Sequence, residues 1–154
     1  MPAGVETGNT LRLDARGEAG ARGGGNGDLY VHLVVQPHPV FDREGDHLLC
    51  SLTVSFPVAA MGADVPIATL DAQETVHVPA GTQPGTLLRM RGKGMPHLGG
   101  RGRGDLIVQI DVEVPKKLRG EERDLLSKLA AVRGEDTGDA KGILGRIKDA
   151  LRPR

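Results

Sequence analysis

The sequence predicts a mainly β protein: tandem duplicated β-sandwich-like or barrel domains, the first of them incomplete, followed by C-terminal α-helices. Three observations support this fold class. A segment of 34 residues occurs twice, glycine and proline are frequent without a collagen-like period, and apolar residues adopt a helical spacing only after residue 120. Because short apolar runs separated by turn residues are typical of strands, helices are expected mainly in the tail.

The repeat relates residues 2–35 to residues 79–112 at a fixed offset of 77 positions, without a gap, and 14 of the 34 paired positions are identical. The Pro-Ala-Gly and Gly-Asp-Leu triplets both recur at this offset. A period of 77 exceeds the roughly 20–50 residues of a solenoid repeat and has the size of a small domain. We therefore expect two related domains. The alternative is two hairpins that look alike because turns use glycine and proline.

In the first copy, two apolar runs predict the strands of a hairpin. Residues 10–14 alternate apolar and polar side chains, as a half-buried strand does, and residues 29–35 are rich in strand formers. The intervening segment 17–27 contains six glycines, so no ordered element is expected there. Pro37 and Pro39 end the second strand because proline cannot donate to a ladder.

The second unit contains more predicted elements than the first. Its strands are expected at residues 47–55, 65–70, 75–78, 86–90 and 105–114, with a helical turn at 57–61. Pro66 places its strand at a sheet edge. Residues 71–73 lack the glycine that a tight hairpin turn prefers. Since only residue 1 precedes the first repeat, we expect the first domain to be incomplete and residue 1 to be an artificial start within a longer chain.

The tail predicts two amphipathic helices. From residue 120, Leu125, Leu129 and Val132 recur at helical spacing, with Gly120 expected as the N-cap and Gly134 as the C-terminal stop. Residues 141–151 repeat this pattern after a polar linker. A helix of so few turns is marginal alone in water, so its leucines need a partner, either the second domain or another subunit.

Composition excludes several classes of function. A net charge of zero provides no general attraction to nucleic acid or to an anionic membrane. The single cysteine, Cys50, excludes an internal disulfide and an all-cysteine zinc site, and its apolar neighbours predict a buried, inert thiol. No run approaches the roughly 18 apolar residues of a membrane span, and no signal pattern opens the chain. We expect a cytoplasmic protein without a membrane partner.

Candidate catalytic and metal-binding residues are lacking. The five histidines show no ligand spacing, and neither a nucleophile–base–orienter set nor a plausible pair of carboxylates is found. We therefore predict that the protein is not an enzyme, with no metal site. Residues 89–103 are rich in glycine and arginine, which suggests an RNA-binding module as an alternative function. This segment has no aromatic residue to stack on a base, so nucleic-acid binding is the weaker hypothesis.

Four motifs in combination resemble the C-terminal region of DnaJ-type co-chaperones. They lie at residues 27–31, 38–45, 79–85 and 89–96. The resemblance covers nearly the whole chain and implies tandem β-domains that hold unfolded polypeptides for delivery to a DnaK-type chaperone. It also implies a C-terminal helix that forms a homodimer. The J domain and the zinc module of the family are missing here, so the chain looks like a C-terminal fragment and no cofactor is expected in it.

The resemblance also implies where partners bind. Client polypeptides would lie in a shallow apolar groove and add as a strand to a sheet edge, with Leu11, Leu13 and Phe41 as the matching groove residues. The alternative is that these three side chains fill the core. The dimer interface would use Leu125, Leu129 and Val132.

We thus predict four segments: 1–37, the C-terminal part of the first β-domain; 38–115, the second β-domain; 116–134, the dimerisation helix; and 135–154, a linker and an amphipathic helix.

Overall fold

The computed structural model describes residues 1–137. One compact unit comprises Met1–Val114, and a second begins at Pro115. Eight strands lie in the first unit: β1 Thr10–Leu13, β2 Leu29–His32, β3 Asp42–Glu44, β4 His47–Ser55, β5 Ala63–Ala68, β6 Gln73–Val78, β7 Leu87–Met90 and β8 Leu106–Glu113. The helices are α1, Phe56–Met61, and α2, Gly120–Arg133, with a 3-10 turn at Ala21–Gly23.

The strands form three sheets. The β1–β2 hairpin is a sheet of its own, β5 and β6 form another hairpin, and the third sheet has the order β3-β4-β8-β7. Within the third sheet, β4 runs parallel to β8, with Leu48 opposite Leu106. In residues 38–114 of this unit, which we call the second domain, β8 is thus a central strand that is hydrogen-bonded on both sides.

The core lies between the two sheets of the second domain. Alternate residues of β8 point inward, and Leu106, Val108 and Ile110 are 0% exposed. Val76 and Val78 of β6 belong to the same apolar cluster. Aliphatic side chains fill this space because the chain has no tryptophan and only two phenylalanines. The predicted mainly β, sandwich-like fold with a C-terminal helix is confirmed.

The two copies of the repeat fold alike and in the same register. Leu11 of β1 lies opposite Val31 of β2, and Leu88 of β7 lies opposite Val108 of β8. All four residue pairs of the first hairpin map onto those of the second when 77 is added to each number. The matched register supports two related units over two hairpins that look alike only because turns use glycine and proline.

The polar contacts are repeated too. Asp28 accepts a hydrogen bond from the Ala15 amide at 3.0 Å, and Asp105 accepts one from the Gly92 amide at 2.8 Å. The ion pairs of the two hairpins are Arg12–Asp28 at 2.6 Å and Arg89–Asp105 at 3.5 Å. The Gly-Asp-Leu triplet recurs because its carboxylate closes the loop of each hairpin.

The structure differs from the prediction in local details. Segment 17–27 contains a 3-10 turn at Ala21–Gly23. The Gly17 amide donates to the Gly27 carbonyl at 2.6 Å, which closes the base of this loop. The short strand β3 was not predicted. The β5–β6 turn needs no glycine because Thr69 donates two hydrogen bonds to the Ala72 carbonyl, through its amide at 2.9 Å and its hydroxyl at 2.7 Å.

Helix α2 begins one residue earlier than predicted. Its N-cap is Arg119, and the Arg119 amide donates to the Glu122 carboxylate at 2.7 Å in a capping box. Gly134, in the left-handed conformation with φ of 69°, ends the helix as predicted. The helix predicted at residues 141–151 lies outside the described residues.

Candidate functional site

An apolar face of the β1–β2 hairpin is the first candidate surface. Leu11, Leu13, Leu29 and Val31 share this face, since Leu11 lies opposite Val31 and Leu13 opposite Leu29. Leu29 is 43% exposed, whereas its counterpart Leu106 is 0% exposed. The hairpin thus presents at the surface the side chains that the second domain buries.

A covering sheet accounts for this difference in burial, since Val76 and Val78 of β6 belong to the same buried cluster as Leu106. β8 lies between β4 and β7, whereas β2 pairs only with β1 among residues 1–137. A strand edge without a partner presents unpaired N–H and C=O groups to any extended chain that approaches it. Since β8, the counterpart of β2, pairs with β4 at the equivalent edge, the β2 edge is open only as far as residues 1–137 are concerned.

Phe41 lies on a different surface. It is 7% exposed, belongs to the core cluster of the second domain, and packs against the His38 ring with 5.0 Å between the ring centroids. One edge of Phe41 lines a cleft of about 570 Å³. The apolar lining of this cleft consists of Val35, Pro37, Phe41, Leu48, Leu70 and Met95. The structure therefore places Leu11 and Leu13 together, and Phe41 apart from them in this cleft.

His38 shapes the segment that leads into Phe41. Its Nδ1 accepts hydrogen bonds from the amides of Val40 at 3.1 Å and Phe41 at 3.3 Å. The cleft thus lies where the chain passes from the first copy of the repeat into the second domain. Because Val35 comes from the first copy and Met95 from the second, both copies contribute to its walls.

Arg43 is a part of this junction whose role was not predicted, although it lies within the motif at residues 38–45. Its guanidinium donates to the carbonyl oxygens of Val5 at 2.6 Å and Gly4 at 2.9 Å, and to the Glu6 carboxylate at 3.1 Å. Its side chain is largely buried. An arginine among other charged residues usually lies on a solvated face. The burial of Arg43 becomes evident only in the fold, where distant segments of the chain meet around it. The apolar residues Val35, Leu48, Leu70 and Met95 around Phe41 were missed for the same reason.

The residues predicted for the dimer interface lie on one face of α2. Leu125, Leu129 and Val132 are spaced four and three residues apart, so their side chains fall on the same stripe. Leu125 is 60% and Val132 is 87% exposed. An exposed apolar stripe on a charged helix is typical of an association surface.

Three of the five basic residues of segment 89–103 contact a carboxylate, whereas Arg91 and Arg101 have no such contact among residues 1–137. Lys93 pairs with Glu74, and Arg103 donates to Asp71 at 2.7 Å. Arg89 faces Asp105 as described above. These ion pairs fasten the loop to the β5–β6 hairpin, and they compete with phosphate for the same cations. The contacts therefore weaken the case for the alternative RNA-binding function.

Other site classes receive no support from residues 1–137. Within this range, no three His, Cys, Asp or Glu side chains are grouped so that they could hold a metal ion. No helix there is long and apolar enough to cross a membrane. Cys50 is a free, buried cysteine, and burial raises the pKa of its thiol. The expectation of no cofactor stays a prediction.

Comparison with known proteins assigns the family. A family model described as the DnaJ C terminal domain matches residues 1–115. Proteins named "Chaperone protein DnaJ" from Thermosynechococcus vestitus and Methanothermobacter thermautotrophicus are each 45% identical to this chain, over 150 and 151 residues, or 96% and 98% of it. The one from Ruminiclostridium cellulolyticum is 43% identical over 153 residues, or 99% of the chain.

Each of these three alignments covers 40% of the relative, so the chain spans about two fifths of the length of the proteins that it matches. The resemblance inferred from the Gly-Asp-Leu and Pro-Ala-Gly segments is confirmed. Since the family model matches well over half of the residues, the chain belongs to the DnaJ C-terminal domain family.

Proposed function

We propose that this chain is the polypeptide-binding and dimerisation region of a DnaJ-type chaperone, which holds unfolded segments for delivery to a DnaK-type partner. The observation that carries the proposal is the apolar cleft beside Phe41, whose walls come from both copies of the repeat. Membership of the family and the names of the relatives as chaperones support it. No step in this function makes or breaks a covalent bond.

Binding uses an apolar groove and a sheet edge. An extended client pairs its backbone with an edge strand, and its apolar side chains then meet groove residues such as Leu11 and Leu13. Backbone pairing does not depend on the client's sequence, so many unfolded chains are accepted. The cleft beside Phe41 takes a further apolar side chain from the same client.

The energetics favour reversible capture. Burying one large apolar side chain contributes about 1.5–3 kcal/mol, and immobilising each flexible side chain costs about 0.5–1.5 kcal/mol. A few such contacts hold a client weakly, so that it is released without an input of energy. Passive holding of this kind prevents aggregation and still allows transfer to a partner chaperone.

Suppression of aggregation tests the proposal. We expect the chain to slow light scattering by a chemically unfolded model protein, and Leu13→Asp to remove most of this effect because it places a charge on the apolar face. Leu98→Asp is the matched control, since Leu98 is an exposed leucine in a loop of the second domain. Equal activity of the two variants would contradict the assignment of the hairpin face.

A salt titration separates polypeptide capture from RNA binding. Capture through apolar contacts should change little between 50 and 200 mM salt, whereas RNA binding through several phosphate contacts should weaken by about 10³-fold or more. A steep loss of client binding with salt, together with tight RNA binding, would favour the Gly-Arg segment as the functional site.

Homodimer formation through Leu125, Leu129 and Val132 is part of the proposal. Sedimentation velocity should show twice the mass of one chain for the wild type and a single-chain mass for Leu125→Asp. Arg123→Asp is the control, because position 123 lies on the opposite side of α2 and within its first turn, where an acidic residue is favourable. An unchanged mass of the Leu125→Asp variant counts against this interface.

A further inference from the structure

The outer face of the four-stranded sheet, opposite the core, is a second apolar surface of the molecule. Leu48 and Cys50 point into the core, so Leu49 and Ser51 point outward, and Ile107 points outward for the same reason on β8. Leu49 and Ile107 are directly opposite each other across β4 and β8. Together with Val40 and Leu87, these residues form what we name the outer patch.

The outer patch is accessible and concave. Leu87 is 60% and Val40 is 57% exposed. A shallow cavity of about 440 Å³ lies over the sheet at this point, and its lining includes all four patch residues. The strand pairing keeps this cavity in place, because β4, β8 and β7 are hydrogen-bonded neighbours across its floor.

Unpaired carboxylates lie on the outward face on two sides of the outer patch, and one of them, Asp42, lines its cavity. Asp42 and Glu44 of β3, and Asp111 and Glu113 of β8, form no hydrogen bond or ion pair within the described part of the chain. Alternation along the strands places all four on the outward face, since Arg43, Val108 and Ile110 point the other way.

This arrangement contrasts with the rest of the first compact unit. Most other carboxylates between residues 1 and 114 are held by an arginine, a lysine, a histidine or a backbone amide, as in Arg12–Asp28, Arg103–Asp71 and Lys93–Glu74. Glu18 is the further acidic residue there without such a contact in residues 1–137. The unpaired negative charge of the unit is thus concentrated around one exposed apolar surface.

Cations of the protein itself do little to neutralise the face. Arg89 lies beside the patch, directly opposite Ile107, and its guanidinium faces Asp105. Arg91 is an exposed cation just beyond the end of β7. His47, opposite Glu44, uses Nδ1 to accept a hydrogen bond from the Asp105 amide at 3.0 Å. The excess of negative charge around the patch favours a ligand with cationic side chains.

We propose that the outer patch is a second docking surface, whose occupant is an extended client segment that carries both leucine-like and lysine- or arginine-like side chains. The inference rests on the proposed function in that the occupant is an unfolded polypeptide. It adds a surface on the second domain, separate from the β1–β2 hairpin, and a preference in charge. Apolar side chains of the client cover Leu87 and Val40, and its cations approach the four carboxylates.

Peptide binding to the full chain tests the inference. Two fluorescent ten-residue peptides are compared by anisotropy, one alternating leucine and lysine and the other leucine and glutamate. We expect the Kd of the basic peptide to be at least about tenfold lower. One favourable charge contact, or a few weak ones, changes the affinity by about this factor. Equal affinity for the two peptides would overturn the proposed charge preference.

Two independent substitutions locate the surface. Leu87→Ser and the double change Asp42→Asn with Asp111→Asn should each weaken binding of the basic peptide by about fivefold or more. The matched controls are Leu98→Ser, an exposed leucine elsewhere, and Glu18→Gln, an unpaired acid elsewhere, and both should bind as the wild type does. Binding unchanged by both patch variants would overturn the proposal, whether or not one control also changes.

Peptide binding and suppression of aggregation, measured together, distinguish failure of this inference from failure of the proposed function. If the wild type suppresses aggregation and Leu13→Asp abolishes this, but both patch variants bind the basic peptide normally, the outer patch is wrong and the hairpin surface stands. If the wild type neither suppresses aggregation nor binds either peptide, polypeptide binding itself is wrong, and the outer patch with it.

Discussion

The guanidinium of Arg43 donates a 2.6 Å hydrogen bond to the carbonyl oxygen of Val5, across 38 positions of sequence. Val5 belongs to the first copy of the repeat and Arg43 to the second domain. The same side chain also lies 3.9 Å from Asp46, which in turn contacts His97 at 2.6 Å. One arginine therefore ties the turn before β1 to two loops of the second domain.

Replacing Arg43 should loosen this junction. Arg43→Ala removes charged hydrogen bonds to two backbone carbonyls, so we expect the free energy of unfolding to fall by about 2 kcal/mol. Hydrogen exchange at the Gly8 and Leu33 amides, which are bonded within the first hairpin, should accelerate. Arg91→Ala is the control, because Arg91 is exposed and has no hydrogen-bond or ion-pair partner in residues 1–137. Similar chemical denaturation curves for the two variants would show that the contact contributes little.

Val108 and Val31 occupy the same position in the two copies, yet they differ in burial. Val108→Ala should lower the free energy of unfolding by about 2–3 kcal/mol, because it removes two buried methyl groups and leaves a cavity. Val31→Ala should cost less than about 1 kcal/mol, since Val31 is half-buried. Urea denaturation of the two variants measures the difference. Equal costs would mean that the hairpin face is covered in solution.

Gly104 and Gly27 form a second matched pair. A Cβ added to Gly104 would clash with the carbonyl oxygen of Asp46, whereas one added to Gly27 would meet the Glu18 carbonyl at 3.8 Å. A backbone carbonyl cannot move aside as a flexible side chain can. Gly104→Ala should therefore lower the free energy of unfolding by about 3 kcal/mol, and Gly27→Ala should lower it by much less. Thermal unfolding followed by circular dichroism compares them. The prediction fails if the two melting temperatures agree.

Cys50 should react slowly while the protein is folded. Burial raises the pKa of its thiol, which keeps the thiolate population low. At pH 8 we expect alkylation by iodoacetamide to be at least about tenfold slower in buffer than in urea. Since the folded pKa is the higher one, the contribution of Cys50 to stability is present below the unfolded pKa of about 8.5 and is lost as the pH rises through the folded pKa. Rapid alkylation of the native protein would show that the thiol is exposed.

Much of the architecture could be predicted from local patterns. The strand at His47–Ser55 was predicted with its observed bounds, because alternation between inward and outward side chains is a property of neighbouring residues. Gly134 ended α2 as expected, because a left-handed C-terminal residue is a local requirement. The fixed offset of 77 predicted the matched register of the two hairpins, since equal spacing between paired residues imposes equal pairing.

The surfaces that bind were less predictable. Leu13 and Met90 lie at equivalent positions in the repeat. The sequence around each residue does not indicate which copy is covered by a second sheet. Phe41 was grouped with Leu11 and Leu13, yet its ring packs into the core of the second domain, because the chain turns at His38. Exposure depends on which distant strands pack above a residue, and local patterning does not contain that information.

The sequence by itself determined the duplicated hairpins, the helix and the family, because each depends on spacing within one continuous stretch of chain. Only the tertiary structure decided that Arg43 joins the two copies, and that four unpaired carboxylates share the outward sheet face with Leu87. The reason is physical: hydrogen bonds, burial and charge are set by distances in space. Residues as far apart in sequence as Asp42 and Ile107 come to lie in one row across the sheet only when β3, β4 and β8 pair.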